Sequence, residues 1–155
     1  PIVSYKRFDL AIKAFNQLGQ PLKIAGVGPE MKRLRQMAND NIEFLGLVSD
    51  EKLADCYSHS RALIFHQEED FGITPLEAMA SGRPVIAYRG GGAVETIKEG
   101  ETGIFFNKQS VESLVEGLKE FNDKNFSPHI CREQANRFDI SVFRDNILEK
   151  LNLKI

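Results

Sequence analysis

The chain has 155 residues, of which 42% are hydrophobic and 27% are charged, and its formal net charge is −2. This composition is typical of one globular domain with a sizeable core, and it excludes a disordered or collagen-like chain. The charge balance argues against binding of nucleic acid by bulk positive charge, and the apolar runs are too short to span a membrane. The two cysteines do not form a C-x-x-C pair, which argues against a disulfide framework or a zinc cluster and fits a reducing cytoplasm.

Helical and extended patterns alternate along the chain. In chain order they predict a helix at 8–18, a strand at 21–25, a helix at 30–39, a strand at 42–45, a helix at 50–58, a strand at 61–65, a helix at 74–81, a strand at 84–87, a helix at 90–98, a strand at 103–106 and a helix at 111–121. A helical tail at about 128–155 follows, and its last helix is expected to begin at Ser141. This order predicts an α/β domain, a Rossmann-like parallel sheet with helices on both faces.

Ligands of such sheets bind outside the carboxyl ends of the strands. The loops to consider are therefore 26–30, 46–50, 66–74 and 88–93. Seven of the twelve glycines lie in these loops, so we expect backbone to approach another group closely there. The glycine run 90–92 predicts either a second phosphate-binding helix start or a tight turn.

The most informative stretch joins three consecutive acids, 68–70, to an apolar helix. Thr74 fits the N-cap position and Pro75 the first helical position, so Glu77 fits the glutamate of a capping box. Alternatively, Glu77 faces a ligand, because a carboxylate can accept two O–H bonds from a vicinal diol. The free N–H groups at 72–76 can hold a phosphate.

Two cations, Lys6 and Arg7, stand at the start of the first helix, where positive charge opposes the helix dipole. They are either a surface pair or a diphosphate site. Residues 26–30 match half of a dinucleotide fingerprint, but Met31 replaces its third glycine, so we predict no NAD site and no cofactor. His66 either touches a ligand or is a packed loop residue. The three histidines lack metal-ligand spacing, and we predict no metal.

Glu69 and Glu77 form an E-x7-E pair inside the segment EDFGITPLEAMASGRPVIA at 69–87. This segment resembles glycosyltransferase family 4, also called glycosyl transferases group 1, whose members are retaining enzymes of the two-domain GT-B fold. Further segments resemble motifs of that family in the same order: YKRFD at 5–9, IAGVGPE at 24–30, FLGLVS at 44–49, GGAVETI at 91–97 and GETG at 100–103. The resemblance is close over residues 5–106 and loose over the tail.

The resemblance implies that residues 1–155 are the C-terminal, donor-binding half of a GT-B enzyme, whose acceptor domain lies outside this chain. It implies nucleotide contacts from Lys6, Arg7, Gly26, Gly28, Leu47, Val48, Ile73, Thr74 and Glu77, with Lys6 on the diphosphate and Glu77 on the ribose. It implies sugar contacts from Glu69, Asp70, Phe71, Gly72 and His66, and catalytic roles for Glu69 and Lys6. Family members carry an arginine before the lysine, and residues 1–5 contain none.

The implied activity is transfer of a sugar, with mannose from GDP-mannose expected, to a glycan or lipid-linked acceptor in polysaccharide or lipopolysaccharide synthesis. The expected location is the cytoplasm, at the inner face of the cytoplasmic membrane, with peripheral membrane association of the full-length protein. The isolated domain is expected to be inactive. The alternatives are a GT-B nucleotide-sugar epimerase or hydrolase and a non-catalytic nucleotide-sugar-binding module.

Overall fold

A computed structural model describes residues 1–151 of the chain. A 3-10 turn at Ser4–Lys6 precedes the regular elements. These are α1 (Phe8–Leu18), β1 (Leu22–Ala25), α2 (Met31–Met37), β2 (Ile42–Gly46), α3 (Asp50–His59), β3 (Leu63–Phe65), α4 (Ile73–Ala80), β4 (Val85–Tyr88), α5 (Ala93–Thr96), β5 (Gly103–Phe106), α6 (Val111–Asn122), α7 (Pro128–Asn136) and α8 (Ile140–Lys150).

In the described part of the chain every strand pair is parallel, which confirms the predicted α/β class. The ladders form two sheets, one with β1 beside β2 and one in the order β3-β4-β5. In the larger sheet, Leu63 lies beside Val85, and Val85 lies beside Gly103. The loops that leave the carboxyl ends of β3 and β4 therefore share one edge of this sheet.

Helices cover both faces of the larger sheet, as predicted. Because side chains alternate along a strand, Ile86 joins one core cluster and its neighbours Val85 and Ala87 join another. The first cluster contains buried residues of α1 and α6 and also takes in β1 and β2, so it spans both sheets. The second cluster packs α4 and α7 on the opposite face. No helix within residues 1–151 has the length and apolarity needed to cross a bilayer.

Four predicted helix starts differ from the structure: α2 begins at Met31 and α5 at Ala93, later than predicted, and α4 and α8 each begin one residue earlier than predicted. Helix α4 begins at Ile73, and its N-cap is Gly72 with φ of 77°, so Thr74 lies inside the first turn. Glycine suits this cap because a left-handed backbone costs it no steric strain. Helix α8 begins at Ile140 behind Asp139, whose carboxylate accepts a hydrogen bond from the Ser141 backbone N–H at 2.8 Å. The predicted helical tail is present as α7 and α8, and its last residues, 152–155, lie outside the described part.

Candidate functional site

An ion pair joins two residues that the sequence placed in separate motifs. Lys6 Nζ lies 2.7 Å from Glu69 Oε1, and the two side chains are only 19% and 24% exposed. Partial shielding from water makes such a pair stronger than an exposed surface pair. The structure thus brings the cation predicted to bind a diphosphate into contact with the acid predicted to bind a sugar.

Arg7 has an unusual backbone conformation and a different partner. It is the one non-glycine residue with positive φ among those described, at 56°, and it precedes α1. A left-handed conformation costs a residue with a Cβ about 1–2 kcal/mol. The guanidinium Nε lies 3.3 Å from Asp9 Oδ1. Arg7 therefore pairs with its own helix, and its predicted contact with a diphosphate stays a prediction.

The acidic loop, residues 67–72, rests on the glycine run at 90–92. The Gly92 backbone N–H donates to the Glu69 carbonyl at 2.8 Å. A Cβ on Gly91 would lie 2.2 Å from that same carbonyl oxygen, and one on Gly92 would lie 2.5 Å from the carbonyl oxygen of Asp70. Only glycine permits so close an approach. The glycine run is thus a support for the acidic loop.

His66 is buried under this loop, with 3% of its surface exposed. Its ring stands edge-on to Phe8, with centroids 5.0 Å apart. Burial lowers the pKa of His66 to about 4, with the Lys6 backbone opposing the shift, so the ring is neutral near pH 7. Protein encloses the ring in this structure, and the predicted contact of His66 with a sugar stays a prediction. Its neighbour Gln67 is also buried and donates to Glu69 Oε1 at 3.4 Å.

The loop ends at the amino terminus of α4. The first-turn N–H groups of a helix have no partner within the helix, and together with the helix dipole they attract anions. In α4 these groups include the amides of Ile73 and Thr74. Phe71, just before them, is 47% exposed, and its ring meets Phe138 edge-on at 6.2 Å between centroids.

Glu77 lies one turn further along α4 with an exposed side chain. Its Oε2 accepts a hydrogen bond from the Tyr57 hydroxyl at 3.1 Å. Because α4 starts at Ile73, Glu77 does not close a capping box with Thr74, and that alternative is wrong. The contribution of Tyr57 could not be found in the sequence, because only the packing of α3 against α4 brings it to Glu77.

The loops after β1 and β2 hold the other residues that were predicted to bind a nucleotide. Leu47 is 82% exposed and Val48 partly exposed. The Gly26 N–H donates to the Gly46 carbonyl at 2.7 Å, which ties the two loops together. A Cβ on Gly28 would lie 2.1 Å from the carbonyl oxygen of Ile2, so this glycine has a packing role whether or not it meets a nucleotide. Within residues 1–151, no three His, Cys, Asp or Glu side chains form a group that could hold a metal ion.

Solved structures share this architecture. The crystal structure of Anabaena Alr3699/HepE in complex with UDP-glucose matches with a TM-score of 0.79 at 23% identity, over 97% of this chain and 46% of that one. Likeness at this identity shows the fold alone. The fold is one half of the GT-B fold of glycosyltransferases, as the sequence predicted.

The family model "Glycosyl transferases group 1" matches residues 2–138, and the chain belongs to this family. The GDP-mannose-dependent alpha-(1-6)-phosphatidylinositol monomannoside mannosyltransferase of Mycobacterium tuberculosis is 33% identical over 117 residues, covering 66% of this chain and 30% of the relative. The Alpha-1,3/1,6-mannosyltransferase ALG2 of Rhizomucor pusillus is 30% identical over 116 residues, covering 71% and 25%. The chain thus spans less than a third of the length of these two curated relatives.

Proposed function

We propose that the chain is the donor-binding domain of a retaining glycosyltransferase, which moves a sugar from a nucleotide diphosphate sugar to an acceptor. The observation that carries this proposal is the shielded Lys6–Glu69 ion pair. It presents a cation and a carboxylate at one point: Lys6 comes from the turn before α1, and Glu69 from the loop that leads into the free amides of α4. A nucleotide diphosphate sugar offers the matching groups, because its sugar is bonded directly to the diphosphate.

Catalysis follows from charge that develops during bond cleavage. As the glycosyl–phosphate bond breaks, negative charge grows on the leaving diphosphate, so donors aimed at it stabilise the transition state more than the ground state. Lys6 and the amides of Ile73 and Thr74 supply these donors. Glu69 orients the sugar hydroxyls, and Gln67 limits its movement through their hydrogen bond. When the donor binds, the diphosphate shares Lys6 with Glu69 or displaces it.

The proposed donor is GDP-mannose. The names of the two mannosyltransferase relatives support this choice, one of them being GDP-mannose-dependent. Exposed Leu47 and partly exposed Val48 are the proposed contacts for the base. The proposed acceptor is a glycan or lipid-linked sugar, bound by a domain outside this chain at the inner face of the cytoplasmic membrane, to which the full-length protein attaches peripherally. By this proposal, residues 1–155 alone have no transfer activity.

Calorimetric titration with GDP, UDP and ADP tests the proposal. We expect saturable binding of one nucleotide by the chain. A charge-assisted contact contributes about 1.5–3 kcal/mol, so Lys6→Met should weaken binding about tenfold to a hundredfold. Lys13→Met removes an equal charge from an exposed position on α1 and should leave the affinity within about twofold.

Two results would contradict the proposal. One is the absence of binding by all three nucleotides while circular dichroism shows a folded chain. The other is equal affinity in Lys6→Met and the unmodified chain.

A further inference from the structure

Tyr57 connects the buried core to an exposed carboxylate. Its ring packs against the core cluster between the larger sheet and helices α4 and α7. Its hydroxyl donates to Glu77 Oε2 at 3.1 Å, and within residues 1–151 this is the one side-chain hydrogen bond that the Glu77 carboxylate receives. The carboxylate is therefore fixed through one oxygen, and Oε1 is left available.

The position of Glu77 on α4 matches the shape of a nucleoside diphosphate. Ile73 and Glu77 are four residues apart, so they lie on the same face of the helix, one above the other. One helical turn rises 5.4 Å. In a nucleoside diphosphate the ribose is joined to the first phosphate through its C5′ oxygen, so the ribose lies about one such step beyond a phosphate at the helix terminus.

We propose that Tyr57 is a positioning residue that orients Glu77 to read the ribose hydroxyls, so that the site selects ribonucleotides over 2′-deoxyribonucleotides. This inference rests on the proposed function of the site. A carboxylate has about four lone-pair positions, and the Tyr57 hydroxyl occupies one of them. The remaining position on Oε2 and those on Oε1 can accept both O–H groups of a cis-diol.

The hydroxyl of Tyr57 keeps its proton across the physiological range. Burial, followed by the nearby Glu77 charge, raises the pKa of this phenol. Tyr57 therefore remains a hydrogen-bond donor to Glu77 between about pH 6 and 9.

The test compares nucleotide selectivity in two variants and a control. GDP, UDP and ADP are each titrated beside their 2′-deoxy forms. In Tyr57→Phe we expect the affinity for the bound ribonucleotide to fall about threefold to tenfold, and the affinity for its 2′-deoxy form to change less than about twofold. The reason is that the lost hydrogen bond orients Glu77 toward the ribose diol, which the 2′-deoxy form lacks. Tyr5→Phe, at a tyrosine that is 64% exposed, should change neither affinity.

A second variant covers the case in which Tyr57→Phe does not fold. Glu77→Gln keeps an oxygen that accepts from Tyr57 but leaves no second oxygen to accept both O–H groups of the diol, so the preference for the ribonucleotide should weaken while unfolding by urea stays unchanged.

The outcomes separate this inference from the proposed function. If both affinities fall equally in Tyr57→Phe, or neither falls, Tyr57 serves packing only and the inference is overturned. If Glu77→Gln retains full selectivity, it is overturned as well. Absence of binding by all six nucleotides would overturn the proposed function, and with it the inference.

Discussion

Burial of His66 should make the stability of this chain sensitive to acid. Its pKa is lowered from 6.5 to about 4 in the folded state, chiefly because burial disfavours the charged ring. Below pH 6.5 the His66 ring is protonated in the unfolded chain but stays neutral in the folded chain. The free energy of unfolding is therefore highest above pH 6.5 and declines as the pH falls toward 4. Linkage with these two values gives a loss of about 2 kcal/mol between pH 7.5 and pH 5.0.

Urea unfolding at these two pH values measures the effect. In His66→Phe the ring cannot take up a proton, so about 2 kcal/mol of the pH-dependent loss should vanish, whatever the absolute stability of the variant. His129 is exposed, and His129→Gln should keep the pH dependence of the unmodified chain within about 0.5 kcal/mol. If His66→Phe retains the full loss of stability at pH 5.0, the burial argument is refuted.

Two further predictions concern the acidic loop and its supports. Gly92→Ala places a Cβ 2.5 Å from the Asp70 carbonyl oxygen and should lower the free energy of unfolding by about 1–3 kcal/mol. In the control Gly117→Ala the added Cβ makes only ordinary contacts in a helix, so this variant should be neutral or stabilising by up to about 1 kcal/mol. Equal urea midpoints for the two variants would contradict this prediction. Phe138→Leu removes the ring that contacts Phe71, so the affinity for GDP-mannose should fall about twofold to tenfold while the affinity for GDP stays unchanged. An equal fall in both affinities would show that Phe138 supports the fold rather than the proposed sugar site.

The order and type of the elements could be read from the sequence because each has a clear period and clear turn residues. Within residues 1–151, the five parallel strands and the helices around them follow the predicted alternation. Strand β4 shows why the prediction worked. Val85 and Ile86 pack into different core clusters on opposite faces of the sheet, so both faces of the strand must be apolar, and a short continuous apolar run marks it in the sequence. The split of the ladders into two sheets is a matter of strand pairing, which periodicity does not report.

Sequence patterns were least informative at the site, where contacts between residues determine the start of α4, the burial of His66 and the position of Tyr57. Thr74 is a good N-cap residue, yet the cap is Gly72, whose left-handed backbone lies against the ring of Phe65. His66 looked available because it adjoins a charged loop, but contact with Phe8 encloses it. Tyr57 belongs to no motif that the sequence offers. For His66 and Tyr57 the deciding partners, Phe8 and Glu77, are remote in the chain, so no short window of sequence contains either pair.

Because the acidic loop rests on the glycine run, some positions of the site should tolerate substitution and others should not. The loop backbone is held at Glu69 by the Gly92 amide, whereas the side chain at Glu68 is exposed. A mutational library at 68 and 70 should therefore yield many folded chains with altered sugar preference, and one at 91 and 92 should yield almost none. By the proposed function, a change of donor sugar would therefore come from the side chains at 68 and 70, on a loop whose backbone path stays unchanged.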